Sequence, residues 1–276
     1  MITADEVHAG VKPWSESLSE LPHRFELVWV LTVDELKRTY GGSLMGLCWI
    51  ILKPLMLIVL YMVLFGFVFQ SRGGPNQTSA EYLLVLLSGL LPWQMFSEAV
   101  AGATGSISSN VGLVTKIRFP IEILPISKVV SATILGLISL VVLVAVLIPL
   151  HHIGWTIFLL PFLLAAQLLF TIGLAWALSA FNVAVRDTNQ LLPFALTIGM
   201  FLSPVVYTSA MVPHALAVLF AYNPMSYFLE GYRMILLMDQ VPPVEVWLIV
   251  GTISVAAFLG GWWVFGRMRL FITDYI

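Results

Sequence analysis

From Val129 to Val185 the chain runs for 57 residues without a formal charge, and a second uncharged stretch of 42 residues follows from Thr188 to Leu229. A helix needs about 20 apolar residues to cross a bilayer, so the longer stretch holds two crossings. Pro149-Leu150-His151-His152-Ile153-Gly154 is the natural place to turn between them. A transmembrane barrel would read as alternating segments of about ten residues, and residues 135–150 show no such alternation. Helices are the default because lipid offers no partner to unpaired backbone groups. Composition agrees: 10% of the residues are charged, against roughly 25% in a soluble domain. That excludes an ordinary soluble enzyme, and 59% hydrophobic residues exclude disorder. A net charge of −2 gives no sign of a nucleic-acid partner. The single cysteine, Cys48, cannot form an internal disulfide.

The fold class expected is an all-α membrane protein with six transmembrane helices, at residues 49–69, 82–101, 129–149, 155–181, 191–207 and 246–265. Eleven charged side chains fall in residues 1–38, where no basic start, apolar core and small-residue cleavage site mark a signal peptide. With the N-terminus in the cytoplasm, ten Lys and Arg lie on inner segments; Arg72 and Arg233 lie outside and Lys53 lies within the first span. Basic residues concentrate on the cytoplasmic side, so both termini are expected there. Residues 211–238 are apolar but cut by Pro213 and Pro224. A full extra crossing would put Arg267 and Arg269 outside. A re-entrant hairpin in the outer leaflet, joined near Asn223-Pro224, avoids this and makes the segment a functional candidate or else a plain surface loop. Glu230 and Arg233 stand at i,i+3 within it, where they could pair on one helical face.

Outside the spans, residues 1–22 read as a cytoplasmic tail and residues 23–42 as an amphipathic interface helix. Phe25, Val28, Trp29, Val33, Leu36 and Tyr40 recur at near-helical spacing beside a charged set of Asp34, Glu35, Lys37 and Arg38. Trp29 and Tyr40 suit a membrane–water boundary, which places this helix flat on the cytoplasmic surface. Residues 43–276 form the transmembrane domain. Its cytoplasmic segment 105–120 alternates small polar residues with hydrophobics and ends in Lys116, Arg118, Phe119 and Pro120. The two cations read either as topology markers near the headgroups or as contacts for a cytoplasmic partner.

Catalytic chemistry has little support. There is no G-x-x-x-x-G-K-[ST] phosphate loop and no H-E-x-x-H or Cys/His cluster, so neither ATP nor a metal has a recognisable cradle. No cofactor is expected in this chain.

Four stretches in order carry a resemblance. They are Asp34–Trp49 closed by Leu52-Lys53-Pro54-Leu55, then Lys116-Ile117-Arg118-Phe119-Pro120, then Val185-Arg186-Asp187-Thr188. The last is Leu202-Ser203-Pro204-Val205-Val206-Tyr207, leading to Asn223-Pro224-Met225 and Glu230-Gly231-Tyr232-Arg233. Together they resemble the membrane permease subunits of type-2 class bacterial ABC transporters for polysaccharide export: O-antigen, teichoic acid and capsule. A basic residue is common in that family where Gly42 stands, and Asn where Lys53 stands. Lys53, near the cytoplasmic end, can snorkel to water or meet a lipid phosphate.

The resemblance implies a homodimer in the bacterial inner membrane, paired with two copies of a separate ABC ATPase that binds ATP and Mg. It implies that Ser109, Lys116, Arg118 and Phe119, with the Arg186–Asp187 turn, couple to that ATPase; Arg186 and Asp187 could also pair with each other. The cargo implied is a lipid-linked polysaccharide. A buried hydroxyl without a partner costs about 2–7 kcal/mol, so a sugar chain needs a lined path. Tyr61 and Phe65, one helical turn apart, with Trp93 and Phe96 on the next span, are the aromatic candidates for it. The hairpin of Asn223, Pro224, Glu230 and Arg233 is the candidate outer gate. Alternatives are a same-class permease for a drug or other lipid, and a membrane-embedded glycosyl- or phosphoglycosyl-transferase. The transferase needs acidic metal-binding pairs at the membrane face, where only Asp34-Glu35 and Asp187 lie.

Overall fold

The 57-residue uncharged run becomes two long helices, and the 42-residue run becomes shorter ones. The computed structural model describes residues 25–41, 45–64, 79–116, 119–150, 154–207 and 217–275, which are helical with no strand among them. Ten α-helices follow in order: α1 (Phe25–Tyr40), α2 (Trp49–Val63), α3 (Ser79–Thr104), α4 (Val111–Lys116), α5 (Ile123–Leu150), α6 (Leu160–Ala184), α7 (Thr188–Leu202), α8 (Ala217–Tyr222), α9 (Pro224–Leu236) and α10 (Val244–Tyr275). Residues 1–22, Phe65, Arg118, His151, His152 and the start of the hairpin, 211–216, lie outside the described residues.

Four helices, α3, α5, α6 and α10, are long and apolar enough to cross a membrane, α6 together with the turn Trp155–Leu159 before it. The chain is a multi-pass membrane protein on that ground. The other two expected crossings, α2 and α7, have 15 residues each. At 1.5 Å per residue these fall short of a hydrocarbon core of about 30 Å.

The bundle is built around α3, the most enclosed of the four long helices. Leu83, Leu84, Leu86, Leu87, Leu90 and Leu91 are buried and only Val85 among residues 83–91 is half-buried, the pattern of a helix enclosed on all sides. Helices α5, α6 and α9 pack around it, and α6 pairs extensively with α10. That last crossing is set by glycine: a Cβ on Gly173 would run into the backbone of Ala257, and one on Gly261 into the backbone of Gly173. Small residues let helices approach to backbone contact, which supplies the dispersion energy lipid cannot. Hydroxyls inside the bundle are satisfied by the preceding turn, as in Thr104 to Val100 O (2.8 Å), Thr171 to Gln167 O (2.7 Å) and Ser254 to Val250 O (2.7 Å).

Helix α1 forms where the amphipathic pattern places it, but it is no free surface helix. It packs on α5 through buried Val28, Thr32 and Tyr40. The Thr32 hydroxyl reaches Ser127 O (3.4 Å), and Glu35 pairs with Lys128 at 2.6 Å. Asp34 and Arg38 pair along the helix (2.8 Å). The charged set is therefore partly a seam between helices. Phe25 and Trp29 stay exposed, on a flank that suits a membrane surface.

Candidate transport face

Helix α7 buries none of its residues. Leu191, Phe194, Ile198 and Phe201 are each at least 60% exposed, which in a membrane protein leaves lipid or another protein as the neighbour. Its inner side, with α2 and α3, walls a cavity of about 360 Å³. Tyr61 and Trp93 line it beside four polar side chains, Gln94, Ser97, Glu98 and Thr197. Gln94 Nε2 donates to Glu98 Oε1 at 3.3 Å, one helical turn away. A carboxylate, an amide and two hydroxyls inside a bilayer are costly against lipid and are found facing protein or a water-filled space. Gly199 of α7 approaches the edge of the Trp93 ring.

The described aromatic candidates divide at the Trp93–Phe96 contact, where the ring centroids are 5.6 Å apart. Tyr61 and Trp93 meet at the cavity, while Phe96 turns into the core, stacked on Phe170 with centroids 5.7 Å apart. Phe170 in turn packs on Phe228 of α9 at 5.6 Å. Glu98 and Gln94 were not singled out by sequence reasoning. The usable signal was an ionisable residue inside an expected span.

The hairpin residues gather at the other end of the bundle. Asn223 joins α8 to α9 and caps α9: its Oδ1 accepts from Met225 N (3.0 Å), and Pro224 takes the first helical position, where its missing N–H costs nothing. Asn223 Nδ2 also donates to Ser203 Oγ (2.8 Å) and Leu202 O (3.2 Å), tying the hairpin to the end of α7. Arg233 is buried. It makes no ion pair with Glu230 among the described residues. Its guanidinium instead donates to Val205 O (2.9 Å) and Val85 O (3.4 Å). The i,i+3 spacing permitted the pair, but the carbonyl of Val205, just past α7, and that of Val85 in α3 accept the donors. Gly89 makes the room, since a Cβ there would stand 2.9 Å from both the guanidinium and Val205 O. Beyond Leu236 the chain is pinned by Thr156, whose hydroxyl is 3.0 Å from Ile235 O and 2.8 Å from Asp239 Oδ1.

The described parts of the two expected coupling segments are linked to each other. Segment 105–120 forms a turn, a short 3₁₀ stretch at Ser108–Asn110 and then α4. Ser109 is exposed, its hydroxyl donating back to Gly105 O (2.8 Å), and Phe119 is half-buried. The side chain of Lys116, like Arg118, lies outside the described residues. Buried Asn182 links this segment to the turn between α6 and α7: its Nδ2 donates to Ser108 Oγ (3.2 Å) and its Oδ1 accepts from Asn189 N (3.1 Å). Arg186 and Asp187 in that turn are both exposed, with no ion pair between them among the described residues. Asn182 had no sequence signal, because its partners are 74 and 7 residues away.

Among the described residues no group of three His, Cys, Asp or Glu side chains is placed to hold a metal ion. The model of the ABC-2 type transporter family matches residues 26–237, which takes in α1 to α9 and all three groups of residues above. The chain belongs to that family. It is 32% identical over 228 residues to an O-antigen export system permease protein of Myxococcus xanthus, covering 82% of this chain and 85% of that one. A Klebsiella pneumoniae protein of the same name is 27% identical over 216 residues, covering 77% and 81%. A polysialic acid transport protein of Escherichia coli is 24% identical over 212 residues, covering 74% and 78%. The family match ends inside the loop before α10, so the α6–α10 crossing is completed by a helix outside it.

Proposed function

We propose that this chain is the permease subunit of an ATP-driven exporter that carries a lipid-linked polysaccharide, of O-antigen type, across the bacterial inner membrane. The observation that carries the reading is the polar, aromatic-edged cavity under the exposed helix α7. Gln94, Ser97, Glu98 and Thr197 offer donors and acceptors to sugar hydroxyls, and the Tyr61 and Trp93 rings offer faces to sugar C–H groups. Such a lining removes the 2–7 kcal/mol penalty of an unpartnered hydroxyl without building a deep well that would hold the chain back. The export permeases among the relatives support the cargo.

One copy cannot enclose this path, since α7 and α2 leave it open on one side. A second copy set against α7 closes it and covers Phe194, Ile198 and Phe201. In this reading the subunit has six crossings, α2 and α7 being the two short ones, and both termini in the cytoplasm. The short helices α8 and α9 then dip into the outer leaflet and return, with Asn223, Pro224, Glu230 and Arg233 as the outer gate. On the cytoplasmic side Ser109, Lys116, Arg118, Phe119, Arg186 and Asp187 form the surface for a separate ATPase that binds ATP and Mg. The Asn182 bridge makes α4 and the α6–α7 turn move as one, so a push on either reaches α7.

Alanine at both Tyr61 and Phe65 is expected to cut surface polysaccharide at least tenfold while the permease level in the membrane holds. Normal amount and length of surface glycan in that double variant would refute the path. A second test concerns coupling: Arg118→Glu should release the ATPase on co-purification and stop export, and unchanged co-purification with unchanged export would refute the docking surface.

A further inference from the structure

Adjoining the first cavity lies a second, of about 410 Å³, walled by α1, α2, α3 and α5. It gathers Tyr40, Lys53, Gln94, Glu98 and Ser139. Lys53 is exposed within the apolar helix α2, one turn from its start. Its ammonium lies 5.5 Å from the centroid of the Tyr40 ring, and no carboxylate lies within ion-pair distance of it among the described residues. A cation–π contact returns only part of the cost of an ammonium in this setting. The ammonium thus lines the cavity without an ion-pair partner among the described residues.

Glu98 narrows which anion could partner Lys53. Its carboxylate faces the same space: burial first, and then the Glu98 charge, hold the Tyr40 hydroxyl above the ordinary tyrosine range. A bare anion at Lys53 would meet that carboxylate across the cavity. A ligand with hydroxyl donors next to its anionic group satisfies both, with Gln94 and Ser139 offering further partners and the Tyr40 ring a face. That combination is a sugar phosphate. Gln94, Glu98 and Leu57 also line the first cavity, so a sugar bound here already touches the side chains that line the path. Lipid attachment follows from location, because a cavity bounded by an interface helix and three apolar helices opens to the bilayer.

We propose that the cavity between α1, α2, α3 and α5 binds the glycosyl-phosphate end of a lipid-linked saccharide, with Lys53 on the phosphate and Gln94 and Glu98 on hydroxyls of the first sugar. The assignment rests on the transport reading above and locates the cargo before it reaches the path.

The test uses the full permease in phosphatidylcholine nanodiscs. The probe is a short-chain polyprenyl diphosphate bearing one N-acetylhexosamine. Competitors are the same diphosphate without sugar, phosphatidylglycerol, and free N-acetylhexosamine 1-phosphate. The sugar-bearing lipid should bind tightest. Lys53→Gln should weaken both diphosphate lipids about tenfold, the scale of one charge-assisted hydrogen bond, and Lys53→Arg should retain most of the affinity. Glu98→Gln should weaken the sugar-bearing lipid severalfold and leave the sugar-free one unchanged. Equal competition by phosphatidylglycerol would make this a general lipid site, and equal competition by free sugar phosphate a soluble-ligand site; either overturns the proposal. So does unchanged affinity in Lys53→Gln. If that variant does not fold, the wild-type competition order together with Glu98→Gln decides the same question. Surface polysaccharide in cells lacking the gene separates the two readings: its loss, with binding indifferent to Lys53, sinks the site alone, and its persistence sinks the transport reading.

Discussion

Helices α3 and α7 are both apolar and both carry one proline, Pro92 and Pro193, yet α3 is enclosed while α7 buries nothing. Around α3 the carbonyls near its proline are answered: Gln167 Nε2 donates to Pro92 O at 3.0 Å. The α7 side has room, polar groups and exposed aromatics instead. A single copy of the chain is finished on one side and unfinished on the other. The packed side carries stability, and the open side is the one to which the proposed function assigns a path and a partner copy.

The largest expected effect strikes the packed side. Gly261→Leu forces a side chain into the backbone of Gly173 and should destabilise the permease by about 3 kcal/mol, the upper part of the usual overpacking range. Gly199 on α7 faces only the edge of the Trp93 ring, so Gly199→Ala should cost under about 1 kcal/mol. Thermal unfolding of the two purified variants compares the sides directly, and similar losses would erase the distinction.

Next in size is the joint between the sides. Arg233→Leu leaves the Val205 and Val85 carbonyls without their donor and should cost about 2–3 kcal/mol, as for hydrogen bonds to a charged group. Thermal unfolding against Glu230→Gln is the check. If Arg233 were held by Glu230, both variants should lose similar stability; the geometry here predicts that Glu230→Gln loses little.

The smallest effect on stability belongs to the open side. Phe194→Ser removes an exposed ring and should shift unfolding of one copy by no more than about 0.5 kcal/mol. It should nevertheless lower the dimer fraction seen by light scattering in detergent.

The packed side was legible in the sequence and the open side only partly. The longer uncharged stretch set α5 and α6, and the amphipathic pattern of residues 24–40 set α1. Asn223-Pro224 was readable as a helix start because capping is local chemistry: an Asx side chain and a proline at adjacent positions. The i,i+3 spacing offered Glu230 to Arg233 because spacing sees partners on its own helix, whereas its acceptors come from residues 28 and 148 positions away. Phe96 looked like Trp93 in sequence, yet of the two only Trp93 lines the cavity; at i,i+3 they share a helix face and their rings stand 5.6 Å apart, so spacing alone does not separate them. Glu98 escaped notice inside a span that composition treated as uniformly apolar. Its meaning comes from Lys53 and Tyr40, which tertiary packing brings beside it.

The central claim is that a second copy completes the α7 side. With Cys48 replaced by serine, single cysteines at Phe194 and Ile198 on α7, and at Leu248 and Leu259 on the outer flank of α10, can be treated in membranes with a short bis-maleimide. All four positions are more than half exposed in one copy. Covalent dimers from the α7 positions, with monomers from the α10 positions, are the predicted result. Dimers from α10 and none from α7 would contradict it.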